Sequence, residues 1–250
     1  MSPRQTLSAA GCAELIRDAG NVVALTGAGI STAAGIADFR GPQGLYVTRQ
    51  YDPETVFDIA AFRRDPAPFY EFTRDLLGVI HTIEPTDAHR FLAKLEKEGS
   101  LSAVVTQNID ALHQKAGSEN VVSIHGDYWT SHCLDCGTAF ELAALEEMVR
   151  DCDVPRCACE GVIKPDVVFY GESVHDLERA AGIVARCDLL LVLGSTLLVY
   201  PAAFLPEQAG GNVVVVNKGE VGLQPRQDRY FVDADLDGFL CEVADHLYNT

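Results

Sequence analysis

Four cysteines in two close pairs indicate a chemistry most directly in this 250-residue chain. Two residues separate Cys133 from Cys136, and twenty residues further on a single residue separates Cys157 from Cys159. Such pairs supply the four thiolates that tetrahedral zinc takes, and because a closed site has no open position, we predict a structural Zn²⁺. The shorter second spacing leaves Cys152 as an alternative ligand. Reduced cysteines without metal, and an iron site for which the chain offers no redox partner, remain the other interpretations.

Polar side chains directly follow two apolar runs of the chain. Gln107, Asn108 and Asp110 come after LSAVVT, and His125 comes after VVSI. In open α/β sheets, ligands bind at the carboxyl ends of the strands, so these residues are candidates for a binding site. Helix capping by Asn108 or Asp110, and a purely structural His125, are the alternatives.

A glycine-rich turn follows the run NVVALT. Gly27, Gly29 and Gly35 stand where a strand-to-helix turn could place backbone amides against a pyrophosphate, which predicts a dinucleotide site. The spacing departs from G-x-G-x-x-G, so a tight turn without a ligand stays open for this segment alone.

Apolar runs rich in Val and Leu alternate with helical patterns along most of the chain. The expected buried parallel strands are 21–26, 101–106, 121–124, 188–193 and 212–216. The expected helices are 68–83, 87–98, 177–186 and 237–247. This alternation predicts an α/β fold with a doubly wound parallel sheet. Residues 130–164 have cysteines, one helical stretch and little strand character, which indicates an inserted module.

Acidic residues outnumber basic ones by 36 to 19, a formal net charge of −17. Because this charge repels a phosphate backbone, we expect no direct nucleic-acid binding, whereas basic protein segments are favoured. No apolar run reaches the roughly 18 residues that span a bilayer, and MSPRQTLSAAG lacks a long apolar stretch. We therefore expect a soluble, cytoplasmic protein without membrane contact.

The glycine-rich turn continues in a pattern that resembles the NAD-binding loop of the sirtuin family, with GAGIST at 27–32, GIADFRGP at 35–42 and GL at 44–45. Other sirtuin-like motifs follow in the family's order: TQNID at 106–110 with LH and AG, HG at 125–126, the paired cysteines, PDVVFYGE at 165–172, GSTL at 194–197 with YPA at 200–202, and VN at 216–217. The resemblance covers nearly the whole chain. It implies a Rossmann-like NAD-binding domain and a smaller zinc-binding module.

We expect the Rossmann-like domain over residues 1–31, 85–127 and 164–250, and the module over 32–84 and 128–163. Departures from the family pattern are Ala34, Ala37, Tyr46, Tyr170 and the order Ser195-Thr196. None of them removes a catalytic function, although the extra methyl of Thr196 is the change most able to disturb cofactor contacts.

The resemblance implies an NAD site formed by Gly27, Ala28, Gly29, Ser31, Phe39, Arg40, Gln107, Asn108, Ile109, Asp110, Gly194, Ser195 and Asn217. Ile109 and Asp110 would hold the nicotinamide carboxamide, while Gln107 and Asn108 would orient the ribose and a water. Phe39 would shield the reactive face, and Arg40 would lie by the phosphates. The substrate peptide would add as a strand to Val167, Val168, Phe169, Tyr170 and Gly171 (the peptide segment), and to Val199 and Tyr200.

The implied activity is NAD-dependent protein-lysine deacetylation. The acetyl-lysine oxygen attacks the ribose carbon of NAD as nicotinamide leaves, His125 acts as general base with Asn108 as the second catalytic residue, and 2'-O-acetyl-ADP-ribose is released. Acetyl-lysine proteins or peptides are the implied partners. An NAD glycohydrolase or ADP-ribosyltransferase and an idle NAD-binding module are the alternatives, the last disfavoured by His125, Asn108 and Asp110 together.

Sirtuins that prefer succinyl-lysine or malonyl-lysine carry a Tyr and, three residues later, an Arg on one helix. The matching positions here are Thr73 and Leu76, neither of which can neutralise a carboxylate. Tyr46 with Arg49 has the right spacing but lies in the cofactor loop, and Tyr70 with Arg74 has the wrong spacing. We therefore expect a preference for acetyl-lysine and longer neutral acyl-lysines.

Overall fold

A computed structural model describes residues 4–36 and 51–249 of the chain. The chain forms two compact units. The larger unit comprises Met1–Ile36, Glu84–Ile124 and Asp176–Thr250, and the smaller unit comprises Ala37–Ile83 and His125–His175. Residues 125–127 and 164–175, which we predicted in the larger domain, fall within the smaller unit.

The helices and strands of the described residues are as follows. The α-helices are α1 (Ala9–Asp18), α2 (Pro53–Val56), α3 (Ile59–Arg64), α4 (Ala67–Ile80), α5 (Asp87–Lys97), α6 (Leu112–Ala116), α7 (Leu142–Asp151), α8 (Leu177–Val184) and α9 (Leu236–Tyr248). The strands are β1 (Val22–Thr26), β2 (Leu101–Thr106), β3 (Val121–Ser123), β4 (Thr130–Cys133), β5 (Ala139–Glu141), β6 (Ile163–Pro165), β7 (Leu189–Leu193), β8 (Asn212–Val216) and β9 (Arg229–Val232). Two 3-10 helices cover Ala28–Ala34 and Ala202–Gln208.

A six-stranded parallel sheet in the order β3-β2-β1-β7-β8-β9 forms the centre of the larger unit. Its strands are apolar at successive positions because both faces are covered. In β1, Val22 and Ala24 join one apolar cluster, and Val23 and Leu25 join another. Such continuous burial explains the unbroken Val and Leu runs of the sequence. The predicted α/β doubly wound fold is confirmed.

Helices cover the two faces of this sheet. The first apolar cluster takes its helical side chains from α1, α5 and α9, and the second takes them from α8 and the 3-10 helix Ala202–Gln208. Helix α5 begins at the cap Thr86, whose hydroxyl accepts from His89 N at 3.4 Å and donates to Ile30 O at 3.1 Å. The cap therefore ties the start of α5 to the turn after β1.

All five predicted strands and all four predicted helices are present, with ends that differ by up to three residues. Helices α1, α2, α3 and α6 and strand β9 were not predicted. Strand β9, RYFV, starts at the buried Arg229, and a charged residue in a short segment hides a strand from an apolar pattern.

The smaller unit contains a three-stranded antiparallel sheet in the order β5-β4-β6. The prediction of little strand character for residues 130–164 was therefore wrong. Its strands are three or four residues long and rich in polar side chains, so no alternating apolar run marks them. The helix expected in this stretch is confirmed as α7.

An aromatic cluster packs inside the smaller unit. The ring centroids of Phe57 and Phe169 are 5.8 Å apart, those of Phe62 and Phe69 are 5.4 Å apart, and both pairs meet edge to face. This geometry is favourable for aromatic pairs and adds to their apolar burial.

Among the residues described, none of the helices has the length and apolar character needed to cross a bilayer.

Candidate active site

The glycine-rich turn after β1 packs closely against the chain that follows β7. Gly27 N donates to Leu193 O at 3.0 Å, and Gly29 N donates to Gly194 O at 2.8 Å. A Cβ atom on Gly27 would lie 2.9 Å from Gly194 O, and one on Gly29 would lie 2.7 Å from Gly194 Cα. The glycines thus allow two backbones to approach, and these two amides are bonded within the protein instead of facing a pyrophosphate.

Three predicted site residues from two segments form one hydrogen-bonded cluster in the larger unit. Ser31 Oγ donates to Asp110 Oδ2 at 2.6 Å. Asn108 Nδ2 lies 3.2 Å from both Ser31 Oγ and Gly27 O and donates to them. Leu112 N donates to Asp110 Oδ1 at 2.9 Å at the start of α6. The cluster lies at the carboxyl ends of β1 and β2, the edge at which open α/β sheets bind ligands.

Asp110 is the buried acid of this cluster. Its side chain belongs to a residue that is only 7% exposed, and burial raises the pKa of its carboxyl group. Hydrogen bonds from Ser31, Leu112 and Asn108 oppose that rise because they stabilise the charged form. A sheltered carboxylate of this kind is a strong acceptor for the N–H of a ligand carboxamide.

A buried network behind Asn108 was missed from the sequence. Thr26 Oγ1 donates to Thr106 Oγ1 at 2.8 Å, and Asn108 N donates to the same Thr106 oxygen at 3.0 Å. His113 Nε2 lies 2.9 Å from Thr26 Oγ1. Thr26 and Thr106 are register partners at the last positions of β1 and β2. A threonine at the end of both predicted strands was the sequence feature from which this contact could have been predicted.

Gln107 and the residues after β7 and β8 lie on the same sheet edge. Gln107 Nε2 donates to Ser195 Oγ at 3.0 Å, and Ser195 is 6% exposed. Asn217 follows β8 directly, and its backbone N–H donates to Val232 O at 3.1 Å. The structure therefore brings Gly194, Ser195 and Asn217 to the carboxyl ends of parallel strands, as expected for a dinucleotide site.

The other predicted cofactor residues divide into two groups. Ala28 and Ile109 are partly buried in the turns after β1 and β2. Phe39 and Arg40 lie outside the described residues.

His125 belongs to the smaller unit and is partly buried. Val168 N donates to its backbone carbonyl at 2.8 Å. Gly126 has a φ of +71°, and a Cβ atom there would lie 1.8 Å from Asp166 O. Only glycine fits this contact, so the backbone of His125 is held firmly against residues 166–168.

The peptide segment is extended but is not a ladder strand. Strand β6 ends at Pro165, and within residues 167–171 only an isolated bridge pairs Tyr170 with Asp58. Val167 and Phe169 are 3% and 2% exposed, whereas Tyr170 is 43% exposed. The segment is held by single backbone and side-chain bonds. In the larger unit, Val199 accepts a hydrogen bond from Ala203 N, and Tyr200 is 62% exposed.

The four predicted zinc ligands converge at one point. Their Sγ atoms all lie within 4.8 Å of one another, with Cys133 and Cys159 3.5 Å apart and Cys136 and Cys157 3.6 Å apart. Sulfurs about 2.3 Å from a tetrahedral zinc are separated by similar distances, so the four thiols fit this ion. Cys152 is outside the group, and its thiol donates to Met148 O at 3.0 Å.

A protein-family model described as the Sir2 family matches residues 27–201 of the chain. Among curated relatives, an NAD-dependent protein deacetylase of Sulfolobus acidocaldarius is 41% identical over 239 residues, which cover 94% of this chain and 93% of that relative. An NAD-dependent protein deacetylase of Thermotoga maritima is 43% identical over 213 residues, which cover 83% and 85%.

Solved structures agree with these relatives. A complex of Sir2 with a p53 peptide and NAD+ superposes with a TM-score of 0.86 at 38% identity, covering 95% of this chain and 97% of that chain. A Sir2 variant with a deacetylated p53 peptide and 3'-O-acetyl ADP ribose gives a TM-score of 0.88 at 38% identity, covering 96% and 98%. The resemblance found in the sequence is confirmed, and the chain belongs to the Sir2 family.

Proposed function

We propose that this protein is an NAD-dependent protein-lysine deacetylase. The observation that carries the proposal is the hydrogen-bonded cluster of Ser31, Asn108 and Asp110 at the carboxyl ends of β1 and β2, in which Ser31 and Asp110 are buried. Relatives that are 41% and 43% identical over most of the chain have the name of this activity.

In the proposed reaction, NAD is a co-substrate. Asp110 and Ile109 hold the carboxamide of nicotinamide, and Asn108 and Gln107 orient the ribose and a water. The carbonyl oxygen of acetyl-lysine attacks the ribose carbon as the bond to nicotinamide breaks. Holding both substrates in line lowers the barrier, because the reacting atoms no longer have to find one another in solution.

His125 acts as the general base in the next step. It takes the proton of a ribose hydroxyl. The resulting alkoxide attacks the former carbonyl carbon of the acetyl group, which is now bonded to the ribose through its oxygen. Water then releases the free lysine and 2'-O-acetyl-ADP-ribose. An imidazole suits this step because its ordinary pKa lies near neutral pH.

The peptide segment would bind substrate mainly through its backbone. The side chains of Val167 and Phe169 are buried within the smaller unit, so they are not available to read the substrate's side chains. Recognition by backbone hydrogen bonds predicts a loose preference for substrate sequence.

The four thiols would hold a zinc ion with a structural role. Four protein ligands leave no open coordination position for a substrate or water, so the ion would stabilise the small sheet and take no part in the reaction.

Release of nicotinamide from NAD, measured with and without an acetyl-lysine peptide, tests the proposal. A deacetylase releases nicotinamide and acetyl-ADP-ribose only when the peptide is present. Equal release without peptide would instead identify an NAD glycohydrolase, and transfer of ADP-ribose to protein would identify a transferase.

His125→Ala tests the assigned base. We expect deacetylation to fall by about 100-fold or more while NAD binding is largely kept, because the imidazole acts after NAD is bound. Activity within about tenfold of wild type would refute the assignment.

We also propose that the protein works in the cytoplasm. None of the eight cysteines, all of which are among the described residues, is in a disulfide, which suits a reducing compartment. Immunoblotting of fractionated cells tests this, and recovery in a secreted fraction would contradict it.

A further inference from the structure

Lys164, in β6, is a buried cation of the smaller unit and is 6% exposed. Its ammonium group donates to Val167 O at 2.7 Å and to Pro165 O at 3.2 Å, and it pairs with Glu172 Oε2 at 2.9 Å. Nζ also lies 4.1 Å from the ring centroid of Phe169. The three N–H donors therefore meet three oxygens, which offsets the cost of burying the charge.

Glu172 closes the other end of the peptide segment. The same Oε2 atom accepts from Phe169 N at 2.9 Å, and Glu172 N donates to Phe169 O at 3.0 Å. Gly171 between them has a φ of +91°, a conformation that favours glycine. Burial lowers the pKa of Lys164, and the hydrogen bond to Glu172 opposes that shift. The carboxylate thus bonds the backbone of the segment and favours the charged form of the buried ammonium.

The opposite edge of the same segment is bonded to His125 and to residues 57–59. Val168 N donates to His125 O at 2.8 Å, Tyr170 N donates to Phe57 O at 2.6 Å, and Ile59 N donates to Tyr170 O at 3.1 Å. Alternate residues of an extended chain point their polar groups to opposite edges. Lys164 and Glu172 therefore hold the odd-numbered residues of the segment, while His125 and residues 57–59 hold the even-numbered ones.

We propose that Lys164 and Glu172 are a positioning pair, which holds the backbone of the peptide segment in the conformation that binds the acyl-lysine substrate. Through the hydrogen bond from Val168 N, the pair also fixes the backbone carbonyl group of His125. The inference rests on the proposed deacetylase function and assigns no contact with substrate to either side chain. Its consequence is a selective effect on the acyl peptide, because neither side chain bonds to any NAD-assigned residue in the described part of the chain.

An apolar pair could not replace these two residues. A methionine at position 164 would fill the space but would leave Val167 O and Pro165 O without their buried donor, and that loss costs more than the exchange of one apolar contact for another. Breaking a buried ion pair from one side also leaves the remaining charge uncompensated. The pair therefore determines the backbone conformation of the segment as well as its stability.

Glu172→Gln, Lys164→Met and Lys164→Arg test the proposal in the full-length protein. Steady-state kinetics with an acetyl-lysine peptide are measured well below each variant's Tm. We expect Glu172→Gln and Lys164→Met to raise the KM for the peptide by about tenfold or more while the KM for NAD stays within about twofold. Lys164→Arg keeps the charge and the donors, so we expect it to recover most of the loss.

Glu146→Gln is the matched control. Glu146 is also a partly buried acid of the smaller unit, with a side chain that is 19% exposed and pairs with His81 at 2.6 Å. Its substitution should leave both KM values unchanged. If Glu172→Gln lowers only the Tm and keeps the wild-type KM for the peptide, the pair is merely structural and the proposal is overturned. An inactive wild-type protein would instead refute the proposed function, and Glu172→Gln serves as the test if Lys164→Met does not fold.

Discussion

The two units of this protein hold their sheets together by different means. In the larger unit, strands of up to six residues are apolar on both faces and lie between two helical layers. In the smaller unit, strands of three or four residues carry polar side chains, and four thiols converge beside them. Apolar burial can stabilise the first sheet, whereas we expect the second, with its short polar strands, to depend on the metal ion that the four thiols could hold.

Loss of the metal should have the largest effect and should be confined to the smaller unit. We expect Cys133→Ala to abolish binding of about one zinc per chain and to remove amide exchange protection in β4, since structural zinc contributes folding free energy directly. Elemental analysis and hydrogen exchange measure the two effects. Amides of β1 should stay protected.

Cys152→Ala is the matched control for this substitution. Cys152 is exposed and outside the thiol group, so we expect this variant to keep its zinc and its exchange protection. Metal-free wild-type protein with a fully protected β4 would contradict the comparison between the units.

A cavity in the parallel sheet should be the next largest effect. Leu191 is fully buried at the centre of β7, so Leu191→Ala should lower the free energy of unfolding by about 2 to 5 kcal/mol. Urea unfolding followed by circular dichroism measures this change, and zinc content should not alter. A change below about 1 kcal/mol would show that the sheet relaxes around the lost side chain.

Two buried histidines make the stability of the larger unit depend on pH. Burial lowers the pKa of His89 to about 4 and that of His113 to about 3, whereas both should titrate near 6.5 in the unfolded chain. The unfolded state therefore binds more protons between these values, so stability is fully present above about pH 6.5 and is lost as the pH falls below it. Each histidine should lower the free energy of unfolding by about 1 kcal/mol as the pH falls from 7.5 to 5.5.

His113→Gln isolates this contribution from other groups that titrate in the same range. Glutamine can still donate to Thr26 Oγ1 but does not titrate, so the variant should lose about half of the dependence attributed to the pair. Unfolding free energies at the two pH values give the difference. An identical pH dependence in variant and wild type would mean that the imidazole is not kept neutral by burial.

The last predicted effect concerns the acyl group. Thr73 is buried with its hydroxyl 3.3 Å from that of Tyr128, and Arg74 is bonded to Asp153 O on the surface. Because Thr73 and Leu76 carry no positive charge, the kcat/KM for succinyl-lysine should be at least about tenfold lower than that for acetyl-lysine. This ratio corresponds to about 1.4 kcal/mol in activation free energy. One peptide carrying each acyl group in turn gives the comparison. Equal turnover would make Arg74, or Arg49 outside the described residues, the first residue to mutate.

The sequence by itself was enough for features that depend on local pattern. Runs of Val and Leu located five of the six strands of the parallel sheet because a strand buried on both faces must be apolar at successive positions. The paired cysteines predicted the thiol cluster because close pairs of ligands are already near one another along the chain. Family motifs also indicated the larger set of site residues.

Tertiary structure alone decided which distant residues meet. The hydrogen bond between Thr26 and Thr106 depends on strand order and register, which a periodic apolar pattern does not specify. Lys164, in β6, and Glu172 are eight positions apart with irregular backbone between them, so only the folded structure shows that both bond the same edge of the peptide segment. The apolar pattern of a sequence indicates which side chains are buried. Which polar groups pair with one another depends on the geometry of the folded chain, which the pattern does not specify.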